Sequence, residues 1–179
     1  MLKWIVIGAG TLLALVVATV VIGYMLPQQH TASRAISLRQ KPSDVFALIS
    51  DFKAAPSWRP EVQRVELLPE VNGQAGFSEK SENGVLTMTV VELKPPERMV
   101  TQIADKELPF GGRWIFEVSP QANGCRLNIT ERGEIYNPVF RFVSRFFLGY
   151  NRSLDTYLQN VSRKFGENAA TEEGKAAVE

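Results

Sequence analysis

The chain contains one cysteine and one histidine among its 179 residues, and these shortages exclude several kinds of chemistry. Cys125 alone cannot form an internal disulfide or supply a cysteine-based zinc site. His30 follows the first apolar segment, in what we interpret as a polar linker, so we expect no imidazole inside the folded domain. A histidine-based triad or metal cluster is therefore excluded there, and we expect neither a metal nor another cofactor.

An excess of charge is also missing. The chain has 20 Lys and Arg against 19 Asp and Glu, which gives a formal net charge of +1. Proteins that bind nucleic acid usually carry a strongly basic balance, and this composition has none. We therefore expect no nucleic-acid partner.

Residues 4–26 lack charge altogether and are rich in Val, Leu, Ile, Ala and Gly. As a helix this run would be about 34 Å long, enough to cross a hydrocarbon core of roughly 30 Å. A signal peptide is the main alternative, but its apolar stretch usually runs about 7–15 residues. We interpret residues 1–29 as a retained transmembrane anchor with its linker, so the lipid bilayer is an expected partner.

The flanks of this run bear on orientation and pairing. Lys3 and the amino terminus lie on one side and Arg34 on the other, and the nearest flank favours a cytoplasmic amino terminus. We expect a single-pass protein of a bacterial inner membrane with its domain outside the cytoplasm. Gly10, Ala14 and Ala18 form a small-residue row that can pair two such helices into a weak homodimer, although such residues are common in spanning helices.

After the anchor, the pattern predicts one domain. Residues 34–39 alternate like a first strand, and residues 41–49 have helical spacing. From residue 62 to 135 the period is two, with hairpin turns at Asn83-Gly84 and Asn123-Gly124, so we expect an antiparallel meander. One continuous amphipathic helix should then run from Pro138 to Phe165. Residues 167–179 lack core-forming side chains and are expected to be a disordered tail.

Residues 41–52, Lys-Pro-Ser-Asp-Val-Phe-Ala-Leu-Ile-Ser-Asp-Phe, and the later Pro-Ser-Trp-Arg-Pro of residues 56–60 carry a family resemblance. With the terminal helix, they resemble the polyketide cyclase/dehydrase and lipid-transport (START-like, SRPBCC) superfamily. The resemblance covers about residues 33–166 and implies an α+β helix-grip fold, an antiparallel sheet wrapped around a long C-terminal helix. It also implies binding of a hydrophobic small molecule. The family shares no universal catalytic residues, so none is assigned here, and we expect binding rather than catalysis.

The apolar faces of the strands and of the last helix should meet and, by this resemblance, enclose a cavity. The alternative is an ordinary filled core. The expected cavity residues are Phe46, Met88, Trp114, Phe116, Leu127, Ile129, Phe142, Phe146, Tyr150 and Tyr157.

Two polar features could carry further functions, one inside such a cavity and one outside it. Glu131 continues the inward register of Leu127 and Ile129, where a carboxylate could act as an acid or base, unless the strand twists outward or Arg132 or Arg98 pairs with it. At 100° per residue, a row of arginines falls on the helix face opposite the core stripe and could meet anionic lipid headgroups, unless it is simply a solvated face. The row consists of Arg141, Arg145, Arg152 and Arg163.

Three functions follow from these patterns. The first is a membrane-anchored carrier or sensor of a hydrophobic small molecule such as a lipid or quinone, which needs no catalytic residue. The second is an enzyme of the cyclase or dehydratase type, which requires a buried, unpaired titratable group in the cavity. The third is a protein-interaction module, which requires a filled interior.

Overall fold

The computed structural model of the chain describes residues 1–71 and 73–178. The helices are α1 Leu2–Met25, α2 Pro42–Ser50, α3 Pro138–Val143 and α4 Arg152–Lys164, with a 3-10 helix at Phe52–Ser57 and a π-helical turn at Ser144–Leu148. The strands are β1 Gln29–Leu38, β2 Val62–Val71, β3 Gln74–Ser81, β4 Gly84–Lys94, β5 Arg98–Ile103, β6 Phe110–Gln121, β7 Gly124–Ile135 and β8 Glu172–Glu173.

Helix α1 contains the charge-free run. It is long and apolar enough to cross a membrane, and none of its most apolar stretch is buried in the protein, whereas a core helix would be mostly buried. The small-residue row Gly10, Ala14 and Ala18 is exposed along it. Pairing of two chains through that row stays a prediction.

The predicted antiparallel meander is present. All eight strands form one sheet in the order β2-β3-β4-β5-β6-β7-β1-β8, with hairpin turns at Asn83-Gly84 and Asn123-Gly124. Gly124 has a φ of 135°, a backbone conformation that glycine adopts without a Cβ penalty. Helices α2 and α4 pack on one face of this sheet, which we call the inner face, and the α+β helix-grip class is confirmed.

Strand β1 begins at Gln29 rather than at Arg34, so the linker prediction was wrong for His30, which lies in the sheet. Residues 29–34 pair with residues 129–134 of β7 through backbone hydrogen bonds. Such pairing needs no apolar side chains, which is why the polar composition of this segment concealed it. The exclusion of an imidazole from the domain is therefore withdrawn.

The C-terminal helical segment is interrupted, so the prediction of one continuous helix from Pro138 to Phe165 was wrong. Gly149 ends the π-helical turn with φ 71° and ψ 179°, which is incompatible with a helix, and α4 starts only at Arg152. Helix α3 turns away from the sheet and packs against α1, where a Cβ on Gly23 would overlap the backbone of Pro138. The apolar side chains of this segment therefore have two different partners, which are α1 before Gly149 and the sheet after it.

Residues 167–178 lie along the opposite, outer face of the sheet, in place of the expected disordered tail. Strand β8 pairs with β1, and the carbonyl oxygen of Lys175 accepts a hydrogen bond from the Asn128 side chain at 2.9 Å. Ala177 is buried against Val100 and Ile115. Backbone groups make most of these contacts, so the side-chain pattern carried no signal for them.

Candidate functional site

The ten side chains predicted to line a cavity fall into two groups. One group is buried on the part of the inner face beneath α2 and α4, which we call the covered half. Its members are Phe46, Phe116, Leu127, Ile129 and Tyr157. The Tyr157 ring centroid lies 5.5 Å from that of Phe116 and 5.4 Å from that of Trp58. These rings fill the space predicted to be hollow, so the covered half is a packed core.

The covered half pairs its arginine but leaves Nε1 of Trp58 buried without a hydrogen-bond partner. Arg59 lies over the Tyr157 ring, 5.1 Å from its centroid, and pairs with Glu79 at 2.7 Å. Burial raises the pKa of Tyr157, so its hydroxyl stays protonated at neutral pH. No chemistry beyond packing is required of this half.

The second group is not fully buried, and it divides again. Met88, Trp114 and Tyr150 are half-buried on the part of the inner face that α2 and α4 do not cover, which we call the open half. Phe142, half-buried, and Phe146, 57% exposed, belong instead to residues 138–148, which turn away from the sheet. Strand register places Met88 opposite Phe77 and Ile103, and Trp114 opposite Glu131. This apolar surface lacks a helical cover because residues 138–148 pack against α1, and the chain reaches the sheet only after Gly149, as α4.

His30 lies at the edge of the open half and was missed as a site residue. Its ring stacks on Tyr150 with centroids 4.0 Å apart, and its other side contacts Gly133, where a Cβ would overlap the ring. The Nδ1 atom is buried without a hydrogen-bond partner. The sequence could have placed His30 on the inner face. It is separated from Ala32 and Ile36 by even numbers of residues, and such residues share one face of a strand.

Glu131 faces this imidazole. Its Oε1 lies 3.6 Å from His30 Nε2, and its Oε2 accepts from the Ser153 hydroxyl at 3.5 Å. Arg98, one of its expected partners, instead pairs with Glu92 and Glu117. A carboxylate beside an imidazole can accept and return a proton, so the arrangement is capable of acid–base chemistry. Within residues 1–71 and 73–178, no cluster of three or more His, Cys, Asp or Glu could hold a metal ion.

A surface hollow of about 730 Å³ opens at the same end of the sheet. His30, Gly112 and Gly133 contribute to its lining, and Ile103 joins it to the row that contains Met88. Most of the remaining lining is polar and belongs to the outer face of the sheet, where Gln102, Arg113, Arg132 and Thr31 lie opposite one another in register. The hollow is within the size range of small-molecule sites.

The predicted arginine row is divided. Arg141 is only 4% exposed, so its assignment to a membrane-facing row was wrong. Its guanidinium donates to the carbonyl oxygen of Leu26 at 2.8 Å and to that of Tyr136 at 3.0 Å, and it thereby holds the end of α1 to α3. Arg145 and Arg152 are exposed, and their contact with lipid stays a prediction.

Solved structures with a similar fold include the di-domain ARO/CYC protein StfQ from the steffimycin biosynthetic pathway. The TM-score is 0.60 at 14% identity, and the match covers 78% of this chain and 53% of StfQ, about half of its length. A START superfamily protein from Mycobacterium smegmatis matches with a TM-score of 0.57 at 18% identity. That match covers 75% of this chain and 99% of the other. Norcoclaurine synthase from Thalictrum flavum matches with a TM-score of 0.61 at 10% identity. That match covers 78% of this chain and 87% of the synthase. At these identities the likeness shows the fold alone.

No curated protein matches the chain. A family model does, over residues 29–165, and its description is polyketide cyclase/dehydrase and lipid transport. The matched range begins at the first residue of β1 and ends just after α4, so it contains the complete sheet-and-helix unit apart from β8. The chain therefore belongs to the polyketide cyclase/dehydrase and lipid-transport family.

Proposed function

We propose that this protein is a membrane-anchored binding protein for an apolar or amphipathic small molecule, such as a lipid or quinone, which it takes up on the open half. The observation that carries the proposal is the uncovered inner face around Met88 and Trp114. Its edge at His30 lies five residues after the end of α1 in the chain. A ligand that removes about 200 Å² of apolar surface from water there would gain on the order of 5 kcal/mol.

The polar edge of the open half suits a ligand with two kinds of surface. Its apolar part would lie on Met88 and Trp114, and its polar part would reach His30 and Glu131. Tethering by α1 would keep this surface in a high local concentration of membrane-dissolved molecules.

The anchor and its orientation are part of the proposal. We propose that α1 is retained and that the domain faces away from the cytoplasm of a bacterial inner membrane. The mass of the mature chain tests retention, because cleavage of a signal peptide would remove the first residues. Proteolysis of intact spheroplasts tests the side, because only an externally located domain would be digested.

Native mass spectrometry of the full chain, released from mild detergent, tests the binding. We expect the wild type to carry a co-purifying apolar molecule and Met88→Trp, which fills the open half, to carry less. Val85→Trp is the matched control, since Val85 is exposed on the opposite face of the same strand. A wild type without bound mass, or equal occupancy in Met88→Trp, would reject the proposal.

The contact between His30 and Glu131 favours one second candidate, an enzyme of the cyclase or dehydratase type. In that case Glu131 would exchange a proton with the ligand, and Glu131→Gln would abolish turnover while the ligand still binds. If the wild type converts none of the molecule that co-purifies with it, this candidate is rejected and the binding proposal is unaffected.

A further inference from the structure

We propose that residues 138–148, comprising α3 and the π-helical turn, form a second membrane contact that inserts apolar side chains into the leaflet where α1 ends. This inference rests on the proposed anchoring by α1 and adds to it a defined docking of the domain on the lipid surface. The occupant is the bilayer itself, for the reasons of depth, surface and charge that follow.

The depth of this segment is fixed by α1. Pro138 contacts Gly23, and Arg141 binds the carbonyl oxygen of Leu26. Gly23 lies in the last turn of the helix, next to the end of the 23-residue apolar run. That run is about 34 Å long against roughly 30 Å of hydrocarbon, so its last turn lies at the boundary between hydrocarbon and headgroups. Helix α3 is therefore held at the same level.

The surface of the segment is apolar where it is free. Phe146, Phe147 and Leu148 are 57%, 74% and 50% exposed, and Val139 and Phe140 are exposed as well. Five large apolar side chains within ten residues make a contiguous patch of the kind that marks a partner surface. Because the helix stops at Gly149, the three consecutive residues before it all point outward instead of alternating with the core. Phenylalanine and leucine on the apolar face of a segment held at the interface bury readily at the boundary of headgroups and acyl chains.

Charge complements the apolar patch. No Asp or Glu occurs between Glu134 and Asp155, while Arg145 and Arg152 are exposed at its border. Exposed guanidinium groups close to a leaflet are attracted by anionic headgroups. A protein partner would not explain why the patch adjoins an apolar helix that is itself exposed, whereas one bilayer accounts for both surfaces.

Depth measurement by spin labelling tests the inference in the full chain, reconstituted in nanodiscs of phosphatidylcholine and phosphatidylglycerol. Cys125 is buried and can be replaced by alanine, so single cysteines can be labelled at Phe147→Cys, Ile22→Cys in the anchor and Glu82→Cys at the tip between β3 and β4. We expect the labels at 147 and 22 to be relaxed by oxygen and protected from a water-soluble nickel chelate. The label at 82 should show the reverse.

Each other outcome has a distinct meaning. A label at 147 that is open to the nickel chelate, with the label at 22 in lipid, overturns this inference and leaves the anchor intact. A label at 22 in water refutes the anchor itself, and with it both proposals. Protection of 147 from both reagents shows a protein covering the patch and also overturns the inference.

A charge variant supplies a second readout. Arg145→Gln should shift the label at 147 toward water in nanodiscs that contain phosphatidylglycerol, and less so in pure phosphatidylcholine. Arg163→Gln, on the last turn of α4, is the control and should leave the depth unchanged. Equal shifts in the two variants would contradict the role assigned to Arg145.

Discussion

The covered and open halves of the inner face are built from the same strands and the same alternation, yet they differ in what lies on them. On β6 Phe116 is buried, whereas Trp114, two residues earlier on the same face, is half-buried. The difference arises outside the sheet, because α4 covers one half, whereas residues 138–148, before the turn at Gly149, pack against α1 and leave the other half uncovered. An uncovered apolar surface can thus be produced by diverting a helix rather than by changing the sheet.

The two helices drawn from one apolar stripe make the same point. Leu154, Tyr157, Leu158 and Val161 of α4 are buried against the sheet. Phe146 and Phe147, on the other side of the break, are exposed next to α1. Apolar periodicity specifies that a face will be covered, but the covering group here is protein in one case and, by our proposal, lipid in the other.

The largest contrast should appear on truncation. Leu158→Ala in the covered half removes a fully buried side chain and should lower the free energy of unfolding by about 2–5 kcal/mol. Leu86→Ala, on the open half, should cost about 1 kcal/mol or less because Leu86 is only half-buried. Urea unfolding of the full chain in mild detergent measures both, and equal losses would remove the distinction between the halves.

Arg141 tests whether α1 holds α3 away from the sheet. Arg141→Met leaves the carbonyl oxygens of Leu26 and Tyr136 without their charged donor and should cost roughly 2–3 kcal/mol. Arg152→Met is the control, because Arg152 is exposed, and should change stability by less than about 0.5 kcal/mol. Thermal unfolding of the two variants decides the question, and a neutral Arg141→Met would show that α3 needs no such tether.

Gly133→Ala perturbs the polar edge of the open half. The added methyl group displaces the His30 ring from Tyr150, so we expect a loss of about 1 kcal/mol from the stacked pair. Since His30 is the only histidine, its imidazole NMR signals report the displacement without ambiguity. Gly76→Ala, where the nearest atoms lie at ordinary contact distances, should leave those signals in place.

The smallest effect at neutral pH concerns Cys125 in the covered half. Burial raises the pKa of its thiol from 9.0 to about 11, so the unfolded chain releases this proton at a lower pH than the folded chain does. Stability should not depend on this group below about pH 9 and should fall as the pH rises from there toward 11. Cys125→Ala should flatten that part of the stability profile, and an unchanged slope would contradict the assignment.

Local features of the sequence predicted much of this structure. Turn chemistry at Asn83-Gly84 and Asn123-Gly124 placed two hairpins correctly, and Asn137-Pro138 marked the beginning of α3. What could not be predicted depends on long-range partners. Nothing local shows that Pro138 will rest on Gly23 or that Arg141 will reach Leu26.

The same limit applies to the candidate site. Trp114 and Met88 were expected on the inner face, and their register is as predicted, but exposure depends on where the helix breaks. The break falls at Gly149, and the contact of α3 with α1 that accompanies it is not visible in the local sequence. His30 was misplaced because the mostly polar residues 29–33 join the sheet through backbone pairing, which requires no apolar side chains.

The most direct test uses the three tryptophans, because one lies in each of the anchor helix, the covered half and the open half. In the full chain labelled with 5-fluorotryptophan, Trp4 lies in α1, Trp58 in the covered half and Trp114 in the open half. Fluorine NMR in nanodiscs, with decylubiquinone or a lysophospholipid added as probe, should show a shift of the Trp114 line while the Trp58 line stays in place. A Trp114 line that neither probe moves, or a Trp58 line that moves with it, would contradict binding on the open half.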